Sequence, residues 1–167
     1  MAVIDEVVKA NGPYAQGFAL GNLPMPPARR LAVLACMDAR LTVEAILGLE
    51  TGEAHIIRNA GGIATEDSVR SLIISHYLLG TEEFMVINHT DCGMLTFEDA
   101  ELRAKLEQST GTAVVSPVYF HAFTDLEKNV RQQVQKIKSH PWTPSSVPVR
   151  GFIYDVKTGK LSEVSEN

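Results

Sequence analysis

The sequence has 167 residues, of which 45% are hydrophobic and 21% charged, and its formal net charge is -5. This composition is that of one soluble globular domain, and the negative charge argues against a nucleic acid or an anionic membrane surface as the main partner. The acidic N-terminus and the lack of an apolar run of ~20 residues argue against a signal peptide and a membrane span, so we expect a cytoplasmic protein.

The first part of the chain alternates apolar runs with turn residues. We assign residues 1–28 to an N-terminal arm that contains a short helix over 3–10. The continuous apolar run at 31–35 predicts a buried strand, because strands that are covered on both faces lack polar alternation. A helix over 42–49 and a second strand over 55–58 are predicted to follow.

Helices and strands keep alternating in the rest of the chain. Thr65, followed by acidic residues, predicts the start of a helix that ends at Gly80. The apolar residues that recur at helical spacing in it are Val69, Leu72, Ile73, Tyr77 and Leu78. The later elements are a strand over 83–88, helices over 97–108 and 125–138, a strand over 149–156 and a return strand over 161–164. This alternation predicts a single α/β domain over residues 1–167, with a central, mainly parallel sheet flanked by helices.

Two short segments follow predicted buried strands directly. The segment CMDAR, at 36–40, comes after the first strand, and HTDCG, at 89–93, comes after the third. With a strand order of 2-1-3, the winding of the sheet reverses between these two strands, which is where ligands gather in open parallel sheets. We therefore expect both segments to meet at this edge of the sheet.

Cys36, His89 and Cys92 form a candidate metal site within these segments. Two thiolates and one imidazole are a known catalytic zinc set, which leaves the fourth tetrahedral position open. Two cysteines in a reducing compartment do not make a disulfide framework, and this favours metal binding. Zn²⁺ with two thiolates is formally neutral, so it acidifies a bound water less strongly than a three-histidine site would.

Asp38 and Arg40 lie on the same side of the extended chain as Cys36, because side chains alternate with a period of two. Asp38 could accept a hydrogen bond from the zinc-bound water or hydroxide, with Arg40 keeping its carboxylate ionised and oriented. Asp38 could instead bind zinc directly as a fourth ligand and close the site. The sequence leaves both alternatives open.

Simpler interpretations compete with a catalytic site. Cys36 could be an ordinary core residue, and Asp38 and Arg40 a structural ion pair. The protein could also be a thiol redox protein or a non-catalytic interaction domain stabilised by zinc. The turn NAGG at 59–62 precedes an acidic first helical turn, so we assign it to close backbone packing and not to phosphate binding. The remaining histidines are interpreted as surface or packing residues: His55, His76, His121 and His140.

The segments at 36–40 and 89–93, together with RNAG at 58–61, resemble the β-carbonic anhydrase family. The resemblance extends over about residues 3–165. It implies a parallel sheet flanked by helices, in a homodimer or a dimer of dimers whose N-terminal helix crosses onto the partner subunit.

The resemblance also implies roles for the site residues. Cys36, His89 and Cys92 are expected to bind Zn²⁺, and Asp38 and Arg40 are expected to form the catalytic dyad. The expected reaction is attack of zinc hydroxide on the central carbon of a heterocumulene, a linear molecule with adjacent double bonds such as CO2.

The small branch of this family includes carbonyl sulfide hydrolases. Residues 51–62, 141–142 and 149–155 are similar to that group. We therefore place hydrolysis of carbonyl sulfide to CO2 and hydrogen sulfide first, with hydration of CO2 to bicarbonate as the alternative. One site could serve both substrates.

Overall fold

A five-stranded sheet organises the protein in a computed structural model that describes residues 2–113, 115–117 and 119–165. The strands are β1 (Leu31–Cys36), β2 (Ala54–Asn59), β3 (Glu83–His89), β4 (Val149–Tyr154) and β5 (Leu161–Val164). They lie in the order β2-β1-β3-β4-β5. The first four strands in this order are parallel to one another, and β5 is antiparallel to β4. The predicted α/β fold, the mainly parallel sheet and the 2-1-3 order are confirmed.

Helices connect these strands. Those in the described residues are α1 (Val3–Gln16), α2 (Val43–Leu47), α3 (Glu66–Leu79), α4 (Asp99–Thr110) and α5 (Leu126–Lys138), with a 3-10 turn over Gly93–Leu95. α1 extends beyond the predicted 3–10, because Pro13 removes only one N–H donor and the last turn still closes behind it. α2 ends early at Gly48, whose φ of 64° makes a left-handed cap. None of the helices in the described part of the chain is both long and apolar enough to cross a bilayer.

α3 begins and ends as predicted, with Thr65 as its N-cap and Gly80 after its last turn. Its buried residues are Ser68, Val69, Leu72 and Ser75. Tyr77 and Leu78, which the apolar spacing assigns to the same face, are instead 58% and 75% exposed. The physical reason is that positions five and six residues after Leu72 are rotated well away from the buried stripe at 100° per residue.

The main core lies between the sheet and the two helices α3 and α5. α5 packs closely against β4 at Gly151, where a Cβ atom would overlap Val130 and lie 2.9 Å from Val134 Cγ2. On the opposite face of the sheet, Val43 of α2 packs in a smaller cluster with Val33, Ala35 and Ile87. These two layers fix the strand ends on which the candidate site is built.

α1 buries none of its side chains within the chain. Val3, Ile4, Val7 and Val8 form an apolar stripe whose residues are 61% to 73% exposed. This stripe is the feature of the arm that a partner subunit would have to cover.

Candidate metal centre

The two predicted segments meet at the carboxyl edge of the sheet. β1 ends at Cys36 and β3 ends at His89, and these strands are hydrogen-bonded neighbours. β2 lies beyond β1 on one side and β4 beyond β3 on the other, so the winding reverses between them. After His89 the chain turns at Asp91, which has a φ of 55° that aspartate tolerates better than most residues. This turn brings Cys92 back to the end of β1.

The side chains of Cys36, His89 and Cys92 converge on one point. One potential ligand atom from each lies within 4.8 Å of the other two, and no other such group of His, Cys, Asp and Glu side chains occurs among the described residues. The three residues are only 4%, 0% and 4% exposed. Ligand atoms around tetrahedral zinc lie roughly 3.3–3.8 Å apart, so this spacing fits the metal.

His89 presents a free lone pair to this point. Its Nδ1 lies 2.9 Å from the carbonyl oxygen of Thr90, and because a carbonyl only accepts, Nδ1 carries the proton. Nε2 is therefore the unprotonated nitrogen of the neutral ring. It is also the one buried side-chain nitrogen or oxygen without a hydrogen-bond partner in the part of the chain that the structure describes. A buried, unpartnered acceptor beside two sulfurs fits a metal ligand whose orientation is set by its other nitrogen.

The two thiols also favour a cation. A hydrogen bond from Cys92 lowers the pKa of Cys36 to about 4, and the same hydrogen bond raises the pKa of Cys92. The backbone groups of Asp38 and Gly61 lower the pKa of Cys36 further. The pair therefore shares one proton, and a divalent cation between the sulfurs would allow both to ionise.

Asp38 and Arg40 form a two-pronged ion pair beside this point. Arg40 Nε lies 2.9 Å from Asp38 Oδ1, and Nη2 lies 2.8 Å from Oδ2. The side-chain hydrogen bonds from Arg40 hold the pKa of Asp38 well below its usual range. Asp38 Oδ2 is 3.7 Å from His89 Nε2, so an ionised carboxylate lies next to the candidate ligand atoms.

Two further residues contribute contacts that the spacing of the motifs did not reveal. Asp91 accepts a hydrogen bond from Arg40 Nη1 at 2.8 Å, so Arg40 links the segment at 36–40 to the segment at 89–93. Arg58 of β2 donates to the carbonyl oxygens of Cys36 at 3.0 Å and of Asp38 at 2.7 Å. These bonds fix the backbone that carries the thiolate and the carboxylate.

The glycine turn at 59–62 packs directly against the site, as predicted. Gly62 has a φ of 61°, and a Cβ atom there would lie 2.8 Å from Asn88 Nδ2 and 3.1 Å from Cys36 N. Only glycine combines this φ with so close an approach. The turn is therefore part of the support of β1 and β3 and not an anion cradle.

An apolar cluster surrounds the two cysteines. Its buried and half-buried members are Leu41, Met94, Ile46, Leu95, Phe97, Phe123, Tyr154 and Val156. In such a low-dielectric surrounding, electrostatic interactions are stronger than in water. An uncharged, linear molecule would also enter it without a desolvation penalty for charge.

Asp99, at the start of α4, anchors the segment that carries Phe123 into this cluster. Its carboxylate accepts from the backbone N–H groups of Phe120 at 2.9 Å, His121 at 3.2 Å and Ala122 at 2.9 Å. Burial alone would raise the pKa of Asp99, but these donors outweigh it and lower the pKa.

We expect Asp99→Ala to reduce the free energy of unfolding by about 2 kcal/mol at neutral pH, because three bonds to a charged acceptor are lost. The native pKa is depressed, so this contribution is complete above about pH 4 and shrinks as the pH falls through the lower native value. Urea unfolding of the wild type and the variant between pH 3 and 7 measures the difference. A difference that grows towards acid contradicts the assignment.

Three of the remaining histidines are satisfied by local contacts away from the site, as predicted. His55 Nδ1 lies 2.7 Å from Ser75 Oγ, and His76 Nδ1 lies 2.7 Å from the carbonyl oxygen of Thr81. The His140 ring packs edge-on against Trp142. None of them belongs to the candidate ligand group.

Comparison with known proteins gives a consistent result. A family model described as carbonic anhydrase matches residues 31–161. β-Carbonic anhydrase 1 of Mycobacterium tuberculosis is 46% identical over 166 residues, which cover 99% of each chain. A carbon disulfide hydrolase of Saccharolobus solfataricus is 35% identical, over 95% of this chain and 87% of its own. The crystal structure of a carbonic anhydrase from Streptococcus mutans has a TM-score of 0.93 and 42% identity, and the match covers 99% of both chains.

These matches extend through both segments that carry the candidate ligands. At 46%, 35% and 42% identity, these proteins share much of their sequence with this chain and not only its fold. The chain belongs to the β-carbonic anhydrase family.

Proposed function

We propose that the protein is a zinc enzyme that adds water to a linear heterocumulene, with Cys36, His89 and Cys92 as the metal ligands. The observation that carries this proposal is the buried, unpartnered Nε2 of His89 beside two thiols and an ionised carboxylate. Zinc held by these residues supplies Lewis acidity, which lowers the pKa of a coordinated water and makes a nucleophile available near neutral pH.

Asp38 orients that water. As an ionised carboxylate it only accepts hydrogen bonds, so it fixes one O–H bond of a nearby water and leaves an oxygen lone pair directed elsewhere. Arg40 keeps Asp38 ionised and limits its rotation through two parallel hydrogen bonds. Direct binding of Asp38 to the metal would require breaking this pairing, which favours the open site over the closed one.

The apolar cluster provides the place for the substrate. Side chains such as Leu41, Met94 and Phe123 cannot compete for hydrogen bonds with the attacking water. They also exclude other water from the reacting carbon. A small, uncharged and linear substrate fits this chemistry, and a charged metabolite does not.

CO2 is the substrate that we place first, with bicarbonate as the product. The support is the 46% identity to a carbonic anhydrase over almost the whole chain. The sequence patterns by themselves favour carbonyl sulfide, which we keep as the second candidate. Its support is the similarity of residues 51–62 and 149–155 to carbonyl sulfide hydrolases and the 35% identity to a carbon disulfide hydrolase.

One zinc-loaded sample tests both candidates. CO2 hydration is followed by stopped-flow pH change, and carbonyl sulfide hydrolysis by sulfide release. We expect CO2 hydration well above the buffer rate. Sulfide release no faster than in buffer removes carbonyl sulfide, and no turnover of either substrate contradicts the proposed function.

A dimer that uses the N-terminal arm is part of the proposal. The stripe of Val3, Ile4, Val7 and Val8 is too apolar to remain in water on a 14-residue helix that buries none of its side chains in its own chain. We place this helix on a second copy of the chain.

A cytoplasmic location completes the proposal, because thiolate ligands require reduced cysteines.

We expect the double variant Ile4→Glu and Val8→Glu to weaken dimerisation by about a thousandfold, since each buried aliphatic side chain contributes about 1.5–3 kcal/mol. Light scattering coupled to gel filtration measures the mass. The control places two glutamates on the polar side of α1, with Lys9→Glu and Gln16→Glu, and should stay dimeric. A wild type that is monomeric at micromolar concentration contradicts the arm's role.

A further inference from the structure

Arg58 is an arginine near the carboxyl end of β2 whose guanidinium binds main-chain oxygens. Its Nε donates to the carbonyl oxygen of Cys36 at 3.0 Å, and its Nη2 donates to that of Asp38 at 2.7 Å. None of the ion pairs in the described part of the chain includes Arg58. No carboxylate there therefore competes with the two carbonyl oxygens for this guanidinium.

Packing does little to fix the main chain between Cys36 and Asp38. β1 ends at Cys36, and the side chain of Met37 is 64% exposed. The Met37 N–H still donates to the carbonyl oxygen of Asn59 at 2.9 Å, which continues the pairing with β2 for one residue. Arg58 then binds both ends of the segment at once, so one side chain of β2 ties Asp38 to the strand end that carries Cys36.

The shape of a guanidinium suits it to this contact. Its Nε–H and one Nη–H lie in one plane on the same edge, so two acceptors on that edge are held at a fixed separation. A lysine ammonium is a point charge on a flexible stem and imposes no such separation. The separation that Arg58 fixes runs from the residue of the candidate thiolate ligand to the residue whose carboxylate orients the attacking water.

The turn that follows β2 gives this side chain a firm base. The Asn59 side chain accepts from the N–H of Ile63 at 2.8 Å and donates to its carbonyl oxygen at 2.7 Å. Asn88 of β3 donates to the carbonyl oxygen of Gly61 at 2.9 Å and accepts from Asn129 of α5 at 2.6 Å. Asn88 and Asn129 are 1% and 4% exposed, so water does not compete for the bond between them. The turn is therefore tied to both β3 and α5.

We propose that Arg58 is a positioning residue, whose guanidinium fixes the distance between the Cys36 thiolate and the Asp38 carboxylate. The inference rests on the proposed function, in which these two groups are a metal ligand and the acceptor for the attacking water. Misplacement of a reacting group by about 1 Å can lower a rate about a hundredfold, although the group itself is intact. Because Arg58 acts through the main chain and not on the substrate, its loss should lower kcat and leave KM nearly unchanged.

Arg58→Lys and Arg58→Met test the shape and the charge of the side chain separately. Lysine keeps the positive charge and an aliphatic stem but loses the planar fork, whereas methionine loses the charge as well. We expect kcat to fall about ten- to a hundredfold in both variants, with KM within about twofold of the wild type. Initial rates of the zinc-loaded proteins over a range of CO2 concentrations measure both constants.

Co²⁺ in place of zinc gives a readout that does not depend on turnover. The thiolate-to-metal charge-transfer absorption should persist in both variants, because Cys36, His89 and Cys92 are all retained. The visible d–d bands should change, since they report the angles between ligands and the main chain of Cys36 is no longer held by Arg58. Titration with Co²⁺ should also show about tenfold weaker binding.

Arg150→Met is the matched control. Arg150 is likewise an arginine on a strand of the sheet, and its Nε donates to Glu163 of β5 at 2.7 Å. It is the second residue of β4, whereas the metal centre lies at the carboxyl edge of the sheet. An exposed ion pair at this distance along the strand contributes little, so the d–d bands, the Co²⁺ affinity and kcat should all stay at the wild-type values.

The outcomes separate this inference from the proposed function. A wild type that binds Co²⁺ without thiolate charge-transfer absorption contradicts the proposed ligands. With a normal wild type, an Arg58→Lys variant that matches it in kcat and in the d–d bands overturns the positioning role, because a lysine does not hold both oxygens at a fixed separation. Arg58→Lys decides the matter if Arg58→Met does not fold. Equal changes in Arg150→Met would also overturn the role, because the loss of any strand arginine would then have the same effect.

Discussion

Asp38→Asn is expected to lower turnover by about 100- to 1,000-fold, while zinc content and the fold stay close to those of the wild type. The loss of one oriented acceptor for the attacking water has a magnitude of this order. An amide can present N–H₂ instead of oxygen, and it loses the charge that pairs with Arg40 at 2.8 and 2.9 Å. Initial rates, metal analysis and thermal unfolding of the same preparation measure the three quantities.

Asp91→Asn makes the same chemical change on the other side of Arg40. Its carboxylate is 2.8 Å from Arg40 Nη1, but its side chain is 70% exposed. Exposed ion pairs contribute little, so we expect less than about a threefold change in turnover. Equal activity of the two variants, both near the wild type, would remove Asp38 from the mechanism.

The position of the candidate ligands could be predicted from the sequence, because few sheet topologies are compatible with the order of its predicted strands and helices. Apolar runs predicted β1 and β3, and a reversal of winding between neighbouring parallel strands brings their carboxyl ends together. Cys36 and His89 occupy those ends. Cys92 is placed by the tight turn after His89. The convergence of all three on one point therefore needed only strand order and local geometry.

Contacts that depend on side-chain packing could not be predicted from strand order and local geometry. Asn129 lies 41 positions from Asn88, and helical periodicity shows only that it faces inward, not which polar atom it meets. Arg58 was recognised as part of a family motif, whereas its bonds to the backbone of β1 depend on strand register. The extent of α1 was also missed, because Asn11 and Gly12 disfavour a helix by their intrinsic propensities, and the sequence does not show that the helix continues through them to Gln16.

Cys92→Ser is expected to reduce zinc affinity by about a thousandfold or more and to abolish measurable turnover. A serine hydroxyl does not ionise near neutral pH, so the site keeps one thiolate and one imidazole, and part of the large binding free energy of zinc is lost. The exchange is nearly isosteric at a residue that is 4% exposed, so little packing is lost with it. Elemental analysis after dialysis and competition with a chromogenic chelator measure the affinity.

Thermal unfolding separates loss of metal from loss of fold. Zinc at about 100 times its Kd should add about 2.7 kcal/mol to the stability of the wild type, and the same addition should leave Cys92→Ser unchanged, since only a folded state with an intact site gains from the ligand. Met94→Leu alters the same buried cluster without removing a ligand and should respond like the wild type. A zinc response in Cys92→Ser equal to that of Met94→Leu would place the metal elsewhere, and the proposed centre would have to be abandoned.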